Sequence, residues 1–593
     1  MSLQSFAATT APEQSAPRLK ALRAAMAGAG LAAVLVPRSD AYRGEYVAPS
    51  DERLAWLTGF TGSAGFAIVT PQEAGLFVDG RYTVQARAQA DAAIDVVPWP
   101  KTKPADWIAE RLAGGDCVGF DAWLHTEREV ADLRAALHDK EIAVVPAANL
   151  VDAIWQERPP PPAAPARAHP EALAGRSAAD KRADIAGALR EAGQRAAILT
   201  LPESICWLLN LRGGDVARVP VLHAFAILHD DARVELFAEA AKLDGTDLGE
   251  GVALLPPGAL LAALTQLSAP VRADPATAPF AIFEALREAG VSVAEVPDPC
   301  LLPKARKTEA ELAGARAAHL RDGAAMCRFL HWLDGQAPSG VTEIDIARQL
   351  EMFRSETERF QDLSFDSIVG SGPNGAIVHY RVTEGTNRAV GPGLLLVDSG
   401  GQYEDGTTDI TRTIAVGPAG AEERRLFTQV LRGMIAVSRA RFPRGVAGAH
   451  LDALARQFLW AEGRDYDHGT GHGVGAYLSV HEGPAGLSRR SDVPLEEGMI
   501  LSNEPGYYRP GAFGIRIENL LAVRAAEAEE GRDFLGFETL TFVPIDRALI
   551  DPALMAPEER AWLDAYHAEV AARIGPRLDG PAADWLAAAT APL

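Results

Sequence analysis

The sequence predicts two related α/β domains followed by a larger α+β domain, and three observations carry that prediction. A pattern of helix, apolar strand, Trp-Leu segment and strand hairpin occurs twice in the first half of the chain. Four consecutive prolines, 159–162, stand between the two copies. The second half changes character, to strands punctuated by glycine. The expected divisions of the 593 residues are 1–158, 159–303 and 304–593. A length prior of about 150 residues per domain suggests three or four domains.

In the first copy, LRAAMAGAGLAAVLVP reads as a helix and then an apolar strand ending at Pro37. LAWLTGFTGSAGFAIVT follows around Trp56, and AGLFVDG completes a hairpin. In the second copy, IAGALREAGQRAAILTLP is the helix and a strand ending at Pro202. ICWLLNLRGGDVARVP surrounds Trp207, and HAFAILHDDARVELFAE is the hairpin. Trp56 and Trp207 are 151 positions apart, too long for a solenoid period and suited to a duplicated domain. Alternating helices and short apolar strands predict a sheet flanked by helices. Neither copy carries a dense set of catalytic or metal-binding side chains, which points to architecture or substrate access.

Between the copies, WQERPPPPAAPARAHP cannot continue a helix or a central strand and reads as an extended spacer. A second boundary falls near 299–307, PCLLPKARK. Thr308 with Glu311 forms a capping-box signature there. Leu312, Ala315, His319, Leu320, Met326, Phe329 and Leu330 then follow near helical spacing. The strands LLLVDSGG, TTDITRTIAV, GMILSNEPGYY and GIRIENLLAV predict an antiparallel sheet with helices between them, and the chain after Ala556 predicts a terminal helix.

Composition excludes several functions. Lys and Arg number 57 against 79 Asp and Glu, a net charge of −22, which argues against nucleic-acid binding because phosphate contacts need clustered cations. The four cysteines form no C-x-x-C pair and read as reduced thiols of a cytosolic protein. The first twenty residues lack the pattern of a signal peptide, and no apolar run reaches about 18 residues, so no membrane partner is expected.

The chemistry lies in the last segment. Asp398 ends the run LLLVD, and Asp409 lies in TTDITRTI. The glycine-rich SGGQYEDGT between them suits a turn, so the two strands pair antiparallel and bring both carboxylates to one face. HGTGHGVG supplies His468 and His472 without the Gly-Lys-Ser/Thr of a phosphate loop. Glu504 follows the strand MILSN, and Glu518 sits in GIRIENLL, where Arg516 and Glu518 share one face of the expected strand. Each acidic residue alone also suits a solvated surface, so the argument rests on the set. Four buried carboxylates would repel and raise one another's pKa values unless cations lay among them. Four carboxylates and a bridging hydroxide carry −5 against +4 for two divalent ions. A donor set rich in carboxylate, with one imidazole and no thiolate, suits Mn²⁺ best; Co²⁺, Zn²⁺ and Fe²⁺ also fit.

At these residues the sequence resembles the pita-bread metallopeptidases, in the contexts DSG, TTDITRT, HGTGHGVG, NEPGYY and GIRIEN. Within them it is similar to the long, three-domain aminopeptidases P, with further matches at GFTGSAG, VDGRY, NLVDAIW and WLLNLRG. The resemblance implies two related N-terminal domains, a C-terminal pita-bread domain and a homodimer. It implies that Asp398 chelates one metal, that His472 and Glu504 chelate the other, and that Asp409 and Glu518 bridge both. His379 and His481 would contact the peptide near the scissile bond, and His468 would line a proline pocket. Tyr508 and Arg516 would take part in proton movement. The implied reaction cleaves an N-terminal residue from a penultimate proline, with hydroxide held between two metals and Glu504 as general base and then acid. A dipeptidase with one N-terminal domain shares the ligand set, and a non-catalytic peptide-binding relative would lose ligands.

Overall fold

The computed structural model describes residues 4–336 and 340–593. It resolves into two compact units. One holds Thr9–Glu171 and Arg176–Leu301; the other holds Leu302–Leu593 with Ala172–Gly175 and the residues up to Ala8.

The first unit contains the duplication. Its first sheet runs in the order Asp95–Pro98, Ala74–Val78, Phe66–Val69, Ala33–Pro37, Cys117–Phe120, Ala143–Pro146. The second runs Val252–Leu255, Val234–Phe237, Phe225–His229, Ala196–Leu199, Val271–Ala273, Val293–Glu295. Strand for strand the pairings agree, including the two antiparallel contacts at the hairpin and the parallel contacts outside them. One expectation changes. The second central strand stops at Leu199, and Pro202 opens the helix Pro202–Leu208 that carries Trp207. Proline fits a first helical turn, where its missing N–H has no partner to lose. The residues around the four prolines are without regular structure up to Arg167–Ala168, a short strand paired with Leu211–Arg212.

The second unit is α+β, and its sheets are antiparallel throughout. Its long helix Glu309–Gln336 begins with the expected box: Thr308 N–H donates to Glu311 Oε2 (2.8 Å), and Glu311 N–H to Thr308 Oγ1 (3.1 Å). A three-stranded sheet pairs Gly393–Ser399 with Ile368–Ser371 and Ile410–Val416. Leu394–Val397 is buried on both faces, so this apolar run lies inside the core. A six-stranded sheet contains Gly471–Gly473, Ile500–Asn503 and Asn519–Ala526. The turn expected between Asp398 and Asp409 is a small hairpin, Gly401–Tyr403 against Gly406–Thr407, which also pairs with Phe360–Leu363. Two helices close the chain, Pro557–Ile574 and Gly580–Ala589. No described helix is long and apolar enough to cross a membrane.

Candidate metal centre

Asp398 stands opposite Thr411 across the antiparallel pair, and Asp409 directly precedes that second strand. The hairpin thus carries both carboxylates to one strand end, as its sequence predicts.

The glutamates are placed by a split hairpin. Asn503 pairs with Asn519, and Gly506 pairs with Arg516, so continuing either register sets Glu504 opposite Glu518. At that point the strands part. Glu504 N–H donates to Thr470 O (2.7 Å), and Glu518 N–H to Thr411 O (3.2 Å). Glu518 therefore lies in a break between Phe513–Arg516 and Asn519–Ala526, and not on one continuous strand with Arg516. The backbone is redirected to neighbouring strands while both carboxylates stay at the seam.

His472 sits at a register shift in Gly471–Gly473, and such a bulge re-aims a side chain. The flanking glycines are required by close approach: a Cβ at Gly471 would strike Ser502 O, and one at Gly473 would strike Glu482 O. His472 Nδ1 lies 2.9 Å from Gly473 O. An Nδ1–H donated there leaves Nε2 as the available ligand atom. That atom is 3.5 Å from Asp409 Oδ2 and 3.6 Å from Glu504 Oε1. Donor atoms of Asp409, His472 and Glu518 all lie within 4.8 Å of one another.

These residues fit a cation site on chemical grounds. Asp398 Oδ1, Asp409 Oδ1 and Glu518 Oε1 are buried without a hydrogen-bond partner among the described residues. Three orphaned carboxylate oxygens in one place would be costly in any folded protein that did not bind cations there. Burial, joined by the charges of Asp409 and Glu504 and opposed by Arg516, pushes Asp398 up to about 7. Burial and the neighbouring carboxylates hold Glu518 well above the usual range. Burial also raises Glu504, against the pull of His472 and Arg516. Burial opposes charge on His472, but the hydrogen bond to Asp409 and the charge of Glu504 outweigh it and push the imidazole up to about 9.

The ion-free site therefore holds extra protons at neutral pH, which metal uptake must displace. Both kinds of shift have the same sign. The raised carboxyls and the raised imidazole bind protons more tightly folded than unfolded, so ion-free stability falls as pH rises from about 4 to about 9. Calorimetric titration of Mn²⁺ into ion-free protein at pH 7, in buffers of different ionisation enthalpy, should show proton release. A buffer-independent enthalpy would contradict this.

Around the acids, Arg516 is the central cation, and it is 1% exposed. It donates to Asp398 Oδ2 (2.6 Å), Tyr508 Oη (2.6 Å), Thr411 Oγ1 (3.2 Å) and Val378 O (3.3 Å). Tyr508 Oη in turn lies 2.9 Å from His468 Nε2. A polar chain thus joins His468, Tyr508, Arg516 and Asp398. The His481 ring meets His472 edge to face, with centroids 4.1 Å apart. His379 is half-buried, beside the Val378 carbonyl that accepts from Arg516.

Several supporting groups were not singled out from sequence. Thr411 Oγ1 donates to Glu518 Oε2 (2.8 Å). Ser502 Oγ accepts from His472 N–H (2.9 Å). Buried Arg412 donates to the carbonyls of Glu518 (2.6 Å) and Val543 (2.8 Å) and to Asn519 Oδ1 (2.8 Å), pinning the break beside Glu518. The threonine lay in a motif already marked; an arginine flanked by threonines on a strand gives no sign of burial.

Fold and site together define a metallopeptidase of pita-bread type. Residues 313–525 match the model for metallopeptidase family M24, and 533–593 match its C-terminal region. Residues 18–154 and 157–311 each match a creatinase/prolidase N-terminal domain. The chain belongs to the aminopeptidase P family. It is 40% identical to aminopeptidase P2 of Arabidopsis thaliana, over 95% of this chain and 86% of that one. It is also 40% identical to a probable Xaa-Pro aminopeptidase P of Aspergillus clavatus, over 93% and 89%. Among solved structures, the X-prolyl aminopeptidase of Caenorhabditis elegans, described as a cytosolic enzyme with a di-nuclear active site, superposes with a TM-score of 0.92. It is 32% identical and covers 98% of this chain and 100% of its own. The dipeptidase PepE of Mycobacterium ulcerans, 27% identical with a TM-score of 0.51, covers only 62% of this chain against 96% of its own.

Proposed function

We propose that this chain is a dinuclear aminopeptidase that releases the first residue of peptides whose second residue is proline. This reading is supported by the grouping of Asp409, His472 and Glu518 within 4.8 Å, with Glu504 3.6 Å from His472 and Asp398 beside Asp409 at the end of the paired strands, in a chain related nearly end to end to aminopeptidases P. The dipeptidase alternative is weaker, since PepE leaves more than a third of this chain unmatched.

In this reading Asp398, Asp409, His472, Glu504 and Glu518 would together hold the two cations. The carboxylate-rich donors favour Mn²⁺, with Co²⁺ or Zn²⁺ as alternatives. When bound, the cations supply Lewis acidity, polarising the scissile carbonyl and acidifying water. Glu504 takes the proton from the attacking water and returns it to the proline nitrogen as the C–N bond breaks. His481 and His379 donate hydrogen bonds to the oxygen that gains charge. His468, braced by Tyr508, lines the space for the proline ring. The surplus of carboxylates attracts the peptide's N-terminal ammonium, which limits cleavage to one residue. An X-Pro amide has no N–H, so its recognition depends on shape.

For function we divide the chain into 1–158, 159–303 and 304–593; the limits of the family models, at 154–157 and 311–313, support a division close to this. The cytosolic C. elegans relative and four free cysteines support a cytoplasmic site of action. A homodimer follows from the family resemblance.

The test is an assay of Mn²⁺-loaded protein on paired Xaa-Pro and Xaa-Pro-Yaa peptides, read by mass. Release of Xaa from the tripeptides is expected. Cleavage confined to dipeptides would establish the dipeptidase reading, and fewer than two bound metals per chain in protein purified with Mn²⁺ would favour a non-catalytic peptide-binding module.

A further inference from the structure

Asp452 and Arg456 lie one turn apart on the helix Gly448–Trp460, so their side chains share a face. They are 1% and 2% exposed. A buried ion pair gains little stability over an apolar pair, because desolvation offsets the attraction. This pair instead directs its remaining polar atoms to the loop that carries the two site histidines.

Arg456 Nε donates to Asp452 Oδ2 (2.8 Å). Its Nη1 donates to Asp465 Oδ1 and Tyr466 O (2.8 Å each), and its Nη2 to His468 O (2.6 Å). The guanidinium also lies over the Tyr466 ring, 3.9 Å from its centroid. Asp452 Oδ1 accepts from Thr470 Oγ1 (2.6 Å), and that oxygen is 2.5 Å from Tyr466 Oη. Thr470 O accepts the N–H of Glu504. One buried pair therefore grips residues 465, 466, 468 and 470, between the helix and the metal centre. His472 has separate supports in Ser502 Oγ and Gly473 O.

We infer that Asp452 and Arg456 are positioning residues for the histidine loop, fixing His468 where the penultimate proline is received. The inference rests on the function proposed above. The two can fail separately: wild-type cleavage of Xaa-Pro-Yaa tests that reading, and the variants test this one.

Arg456→Lys keeps a cation beside Asp452 but loses the planar fork that reaches both carbonyls. In metal-loaded protein, KM for an Xaa-Pro-Yaa peptide should rise about tenfold while kcat stays within about threefold. Metal content should stay at the wild-type value, because His472 is held independently. A lower melting temperature with unchanged KM would overturn the inference and leave the pair a structural one. If Arg456→Lys does not yield folded protein, Thr470 carries the test. Thr470→Val removes the hydroxyl and should raise KM, and Thr470→Ser keeps it and should restore the wild-type value. Equal KM values for these two variants would also overturn it.

Discussion

Asp409→Ala should abolish peptidase activity and leave the fold intact. Its Oδ2 lies 3.5 Å from His472 Nε2, and its Oδ1 is buried without a hydrogen-bond partner among the described residues. As a shared ligand it would contribute to both cations, so its loss removes several kcal/mol of transition-state stabilisation, about a thousandfold or more in rate. The ion-free fold should not suffer. The Asp409 charge is among the influences that raise Asp398, Glu504 and Glu518, so deleting it relieves repulsion, while it also removes the hydrogen bond that holds the charged imidazole of His472. The two changes oppose each other, so ion-free Asp409→Ala should unfold in urea at a midpoint close to that of ion-free wild type. Steady-state kinetics and metal content on the same preparation check the rest. Near-normal turnover would remove Asp409 from the centre.

Arg516→Met should damage both stability and activity. Methionine fills much of the same volume but removes the partners of Asp398, Tyr508, Thr411 and Val378 O together. Asp398 is then a buried carboxylate without its cation, and breaking such a pair costs about 3–5 kcal/mol. The loss should be largest in ion-free protein and smaller once metal supplies positive charge nearby. In the loaded enzyme the polar chain to His468 is cut at Tyr508. Removing outer partners of this kind lowers activity about 10–100-fold. Urea unfolding with and without Mn²⁺, alongside kcat/KM, measures both effects. Equal stability losses in the two states would show that Arg516 does not serve to neutralise the acid cluster.

Much of this was legible in sequence because the chemistry sits at breaks in pattern. LLLVD is an apolar run that ends in a charge, and MILSNEP and GIRIEN repeat that arrangement. The repeated helix, strand and hairpin foretold two sheets of one topology because each short apolar strand is bounded by its own turn signals. What stayed hidden depends on registers between distant strands. Nothing local sets Glu504 opposite Glu518 or parts their strands toward Thr470 and Thr411. Pro202 reads as a strand end because apolar residues precede it, but proline also opens helices, and tertiary packing decides between the two. Arg412 and the Asp452–Arg456 pair look solvated in sequence, since only the finished fold shows that carbonyls surround them.

The central claim is that five side chains, far apart in sequence, hold two cations in one cavity. Anomalous diffraction from crystals grown with Mn²⁺ tests it most directly. The expected result is two peaks enclosed by Asp398, Asp409, His472, Glu504 and Glu518, with Asp409 and Glu518 touching both. A single peak, or metal held by other residues, would contradict it.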